Sequence, residues 1–186
     1  MSLEILTAGE IKLLDEYDPA LKEAALSTKL SAIISQVNDV IAKLKGDYLI
    51  SKPGLTVGTT DAADIKNAAF DYTINGVKIE KAAGETAFAG TEDAIPSTGD
   101  LYGAFRVVID AAGTVTIQEA AANAAGYATA ALALAGLPAV PADKAALGTV
   151  TVLAADGTAF TPGTTELSAA NITDAYVDGD TAIEAI

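Results

Sequence analysis

Phe70-Asp71-Tyr72-Thr73-Ile74-Asn75-Gly76-Val77-Lys78-Ile79-Glu80 reads as two short strands and the turn between them. Phe70, Tyr72 and Ile74 alternate with Asp71 and Thr73, the period-two pattern of a half-buried strand. Asn75-Gly76 is the preferred dipeptide of a two-residue hairpin turn, because both positions need a positive φ. Val77 and Ile79 then resume the apolar face. The implied register pairs Ile74 with Val77 and Tyr72 with Ile79. It also sets Asp71 against Glu80, a like-charge cost that is tolerable at an exposed position.

Working outward, the same grammar recurs. Phe105, Val107 and Ile109 lead into Ala111-Ala112-Gly113, and Thr114 to Gln118 return with Val115 and Ile117 inward. Gly113 supplies the left-handed residue of a three-residue loop. A third hairpin is expected from Thr149 to Leu153, turning near Asp156-Gly157 and returning through Thr158 to Phe160. Pro162-Gly163 marks a further turn. Between the second and third hairpins, a short helix is expected near Tyr127 to Ala135, bracketed by Gly126 and Gly136 and stopped by Pro138 and Pro141. Ala120 to Leu137 lacks charge over the length of a membrane span, but its alanines, Asn123, Tyr127 and Thr129 identify it as a buried or packed segment. Short strands at close turn spacing define the expected fold over 54–186: a β-rich domain, an antiparallel β-sandwich or barrel.

The first 46 residues have a different period. Residues 1–17 form an apolar arm, expected to anchor the chain. Asp18-Pro19 suits a helix start, and Lys43, Lys45 and Gly46 suit its end. Within 18–46, Leu26, Leu30, Ile33, Val37, Val40 and Leu44 recur at intervals of 4, 3, 4, 3 and 4, a heptad seam. Ile34 and Ile41 widen that stripe beyond a two-stranded seam. β-Branched residues at both core positions favour three or more strands. An amphipathic helix lying on its own domain is the plainer reading of the same pattern. We read these eight residues as an oligomer interface, a short coiled-coil-like stem joining a parallel homotrimer. The fold class expected is therefore mainly β, preceded by an N-terminal α-helix.

Composition removes many function classes. The chain has neither cysteine nor histidine, which excludes disulfides and thiolate metal sites and removes the commonest general base. A net charge of -14 argues against nucleic-acid partners and against anionic membrane surfaces. No secretory signal is expected at the start, where Glu4, Glu10 and Lys12 interrupt the apolar run. Neither a nucleophile elbow nor a phosphate loop is present. Paired carboxylates hydrolyse glycosides without histidine, yet Glu80, Glu85, Glu92 and Asp93 cannot be paired from sequence. Asp174, Asp178 and Asp180 lack the spacing of a calcium loop and read as a solvated turn. Asn171-Ile172-Thr173 matches a glycosylation acceptor, meaningful only in a eukaryotic secretory route. The chain is expected to be no enzyme and to hold no catalytic residue, cofactor or metal.

Several blocks between about residues 65 and 178 resemble virion structural proteins of tailed phages. They are Phe70 to Gly76 followed by Lys81-Ala82-Ala83, Ile109 to Thr116, Leu137-Pro138 through Lys144 with Gly148-Thr149-Val150, and Phe160 to Thr165. The resemblance implies an oligomeric particle protein located in the virion, with no catalytic residues to carry over. Size and charge favour a capsid decoration or head fibre attached through its N-terminal region, with copies of itself and the capsid as partners. The alternatives are a tail-fibre or baseplate component, a bacterial surface adhesion module and a polysaccharide-acting enzyme.

Overall fold

The computed structural model describes residues 24–36 and 46–181. Those two stretches belong to separate compact units. In the first, residues 24–36 are α-helical (α1), an unbroken run without Gly or Pro. Within it, the Thr28 hydroxyl donates back to the Ala24 carbonyl at 2.9 Å. The arm 1–17 lies outside the described residues, as do the flanks of the expected helix.

The second unit is mainly β. Its elements are β1 (Tyr48–Leu49), β2 (Thr56–Val57), β3 (Ile65–Asn67), β4 (Phe70–Ile74), β5 (Val77–Lys81), β6 (Gly84–Thr86), β7 (Leu101–Asp110), β8 (Val115–Glu119), α2 (Ala130–Ala135), β9 (Lys144–Ala154) and β10 (Ile172–Asp178). They form three antiparallel sheets, ordered β1-β4-β5, β2-β3-β6 and β10-β9-β7-β8, and none of them closes on itself. The unit begins at Gly46, ahead of residue 54, because β1 pairs Leu49 with Tyr72. A two-residue strand carries no period to read.

The first hairpin has the expected register, with Ile74 opposite Val77 and Tyr72 opposite Ile79. Asn75 and Gly76 take φ of 52° and 77°, the left-handed pair that a two-residue turn demands. Asp71 does face Glu80. Lys78 answers that repulsion, its ammonium 2.9 Å from Asp71 and 3.6 Å from Glu80. The Asp71 bond is the main reason the ammonium holds its proton more tightly than usual. The second hairpin also has the expected register, Val107 opposite Ile117 and Ile109 opposite Val115. Asp110 closes its loop by accepting from the amides of Ala112 and Thr114.

The two hairpins are tied to each other. The Tyr72 hydroxyl donates to the Asp110 carbonyl at 2.9 Å, and the Lys81 ammonium donates to the Gly113 carbonyl at 2.8 Å. Burial, and secondarily Asp110, raises the Tyr72 phenol above its ordinary value. One apolar core joins all three sheets, drawing on Leu49, Tyr72, Ile65, Phe105, Val107 and Val150. Loop residues Ile95 and Phe160 complete it. With few aromatics, the core concentrates them: Phe88, Phe105 and Phe160 form one cluster with centroids 5.0 to 6.3 Å apart. A second, small cluster covers the other face of β7, where Ala133 of α2 packs on Ala104 and Ala120. Methyl-sized side chains let helix and sheet approach closely there.

Two sequence expectations are corrected. β9 does not turn back at Asp156-Gly157 to pair with Thr158–Phe160. Asp156-Gly157 is a turn, but Phe160 bridges Ile95 instead, and β9 pairs with β10 from Ile172↔Ala154 to Asp178↔Gly148. Phe160 is drawn into the aromatic cluster, which takes its strand away from the β9 edge. Likewise, Asp174 and Asp178 do not lie in a solvated turn; they alternate along β10 with the exposed Ala175 and Val177. Asp178 accepts the Leu55 amide at 2.8 Å, so it serves as a tie between segments.

Candidate functional site

Four of the eight expected interface residues lie on α1. Leu26, Leu30 and Ile34 are 40%, 58% and 51% exposed, and Ile33 is half-buried. Spacings of 4, 3 and 1 residues put all four on one side of a helix with 3.6 residues per turn. α1 therefore carries an exposed apolar stripe in the single chain. Val37, Val40, Ile41 and Leu44 lie outside the described residues.

The carboxylates of the β unit are largely occupied by its own backbone. Glu85 accepts from the Thr59 hydroxyl and from the amides of Thr59, Thr60 and Asp61. Glu92 accepts from the amides of Ala89, Gly90 and Thr91, and Glu119 accepts from that of Asp93. Asp47, Asp61, Asp100 and Asp156 do the same for Asn75, Ala63, Asp156 and Gly99. A loop amide with no strand partner needs an acceptor, and an ionised carboxylate is a strong one. Much of the acidic composition thus has a structural use.

Two open depressions carry charged side chains. One, of about 500 Å³, is lined by Thr60, Asp61, Asp64, Lys66 and Glu85. The other, of about 490 Å³, is lined by Ser51, Asp71, Glu80 and Lys81. Most of their charged groups have internal partners: Glu85 in its amides, Asp61 on the Ala63 amide, Lys66 on Thr59, Asp71 and Glu80 on Lys78, and Lys81 on Gly113. Among the described residues, no group of three or more Asp or Glu is arranged to hold a metal ion.

Hydrogen bonding from Thr59, then from the neighbouring amides, holds the Glu85 carboxyl at about 2 against an ordinary 4.5. A value lower in the folded state means a stabilising contribution that is complete above pH 4.5 and lost as pH falls towards 2. Asp64 and Glu119 have the opposite sign, since burial raises both and their protonation favours the fold. The melting temperature should therefore fall through that acid window, and Glu85→Gln should lower it at pH 7 and flatten the fall. Parallel curves for the two chains would show that this latch contributes nothing.

A further sequence expectation is corrected around α2. Ala120 to Ala142 is a run of 23 residues without charge. Its part Ala120 to Leu137 was expected to be buried or packed, yet that stretch lies mostly on the surface. Ala120, Asn123 and Ala133 are buried, while Leu132, Leu134 and Val140 are exposed. The helix within it is shorter than expected, starting after Thr129, whose hydroxyl caps the Leu132 amide. Tyr127 is held outside it by a two-way backbone bridge to Tyr102. A six-residue helix has one face against the sheet, which leaves its leucines outward. No described helix is long and apolar enough to cross a membrane.

Comparison with protein-family models, with curated proteins and with solved structures finds no match for this chain.

Proposed function

We propose that this chain is a non-enzymatic structural component of a tailed-phage particle, a homotrimeric capsid decoration or head-fibre protein attached through its N-terminal region. The observation that carries the assembly is the exposed stripe Leu26, Leu30 and Ile34 on α1. An apolar helical face at heptad spacing is stabilised by burial against the same face of another copy. Support for a structural role comes from the carboxylates, which serve loop amides in the β unit. The resemblance of the β-region blocks to virion proteins supports the particle. In this reading the sheets of the β unit pack as a sandwich around their shared core, and the helix is the stem that joins three copies.

The native mass of the full chain tests the assembly. A subunit is 18.7 kDa, and three times that value is expected. Ile33→Asp with Val37→Asp should abolish the trimer, because unpaired charges would be buried in the seam. An unchanged mass in that variant would remove the stem. Imaging of purified particles with labelled antibody tests location, and absence from both head and tail would sink the virion assignment.

A further inference from the structure

We infer that the free edge of β10 is a docking site for an extended, basic segment of another protein, which joins the four-stranded sheet as an added strand. The inference does not rest on the helical stem, since β10 belongs wholly to the β unit.

The first ground is the open backbone. The Asn171 carbonyl accepts from the Ala155 amide, and the Gly179 amide donates to the Leu147 carbonyl. The hydrogen-bonded pairs of the β9–β10 ladder therefore fall on Thr173, Ala175 and Val177. The amides and carbonyls of Asp174, Tyr176 and Asp178 point away from β9, and they have no hydrogen-bond partner among the described residues. β10 is also the longest strand at a sheet edge, seven residues against five for β5 and β8. It contains no proline, glycine or bulge, devices that close an edge to a new strand.

The second ground is charge. Asp174 and Asp178 stand on the same side of β10 as Tyr176, and exposed Asp180 follows. The residues of β9 that face the strand, Gly148 to Ala154, carry no charge to offset them. Lys52, the basic residue of the segment leading to Leu55, is already engaged. The carboxylates disfavour a second copy as the occupant. Two β10 strands paired antiparallel about Tyr176 would set Asp174 of each directly against Asp178 of the other. Paired about Ala175, they would bring the two Asp174 side chains to diagonal positions on one face. A strand that alternates basic and apolar residues has the complementary pattern: its main chain fills the open edge and its cations meet the carboxylates.

Titration of the full chain with a short, capped, fluorescent peptide of alternating Lys and Val tests the site. Binding should weaken with added salt, and the matching peptide of Glu and Val should not bind. Amide exchange should slow at Asp174 and Tyr176, and stay unchanged at Ala175 and Val177, whose amides already bond β9. Asp174→Asn should weaken binding roughly two- to fivefold, the effect of one exposed ion pair. Asp174→Pro removes an outward amide and leaves the β9 ladder complete, so it should weaken binding roughly tenfold or more. An unchanged melting temperature verifies its fold. Asp174→Lys, an exchange of side chain alone, should abolish the preference for the basic peptide. The site is overturned if the basic peptide does not bind, if both peptides bind equally, or if Asp174→Lys leaves the preference intact. Concentration-dependent slowing of the same amides without peptide would give the edge to a second copy and overturn it too.

Discussion

Replacing Phe105 with alanine is expected to destabilise the β unit by about 3–5 kcal/mol, the range for deleting a fully buried aromatic ring. Phe105 is fully buried on β7, the long strand that pairs with both β8 and β9. Its ring meets Phe88 edge-on at 5.0 Å and lies 6.1 Å from Phe160. Those two residues come from loops outside the three sheets, Phe160 bridged only to Ile95, and the cluster ties both to β7. Truncation leaves a cavity bounded by two strands that cannot move inward without breaking their ladders, so collapse would be small. At about 4 °C per kcal/mol, the melting temperature should fall by roughly 12–20 °C. Phe105→Leu keeps most of the volume and should cost much less. Equal losses in the two variants would mean that the ring's volume is not what the site requires.

Gly148→Ala is expected to cost about 2–4 kcal/mol, more than a surface strand position would. The β7–β9 ladder shifts register here: Val107 faces Gly148, and Val108 faces Ala146. The shift resets the alternation of β9, so that Ala145 and Leu147 are buried on one side of it and Val150, Val152 and Ala154 on the other. A Cβ at residue 148 would lie 2.3 Å from the Val177 carbonyl oxygen and 2.7 Å from Leu55 Cδ1. The carbonyl belongs to β10, which is paired to β9 at this point through Asp178. Relief would require the end of β10 to part from β9, together with the Asp178 tie to Leu55. Hydrogen exchange should therefore show faster exchange along β10 in the alanine variant than along β8. Equal protection of the two strands would show that the bulge tolerates a side chain.

Much of the β unit was legible from short windows of sequence. Asn75-Gly76 and Gly113 specify turns by their backbone preferences, and a turn of known length dictates the pairing of residues beside it. Both early hairpins therefore have the register that their residues imply. The α1 stripe was legible in the same way, because Leu26, Leu30 and Ile33 share a helix face by spacing alone. The stretch around α2 was only half legible. Its lack of charge stood in the sequence, but whether Leu132 points to the sheet or away from it depends on which face Ala133 takes.

By itself, then, the sequence determined what local backbone chemistry can specify: the hairpins over 70–81 and 105–118, the turns, the helical period of 24–36 and the absence of thiol and imidazole chemistry. Only the tertiary structure decided the partner of β9. Thr158 to Phe160 was the nearer candidate, yet Ile172 to Asp178 took the place across a long loop. The reason is that Phe160 gains more by completing an aromatic cluster with residues distant in the chain, while β10 offers seven consecutive pairings and the Asp178 tie. Such a choice compares burial at separate places in the fold, and no short window of sequence contains both terms.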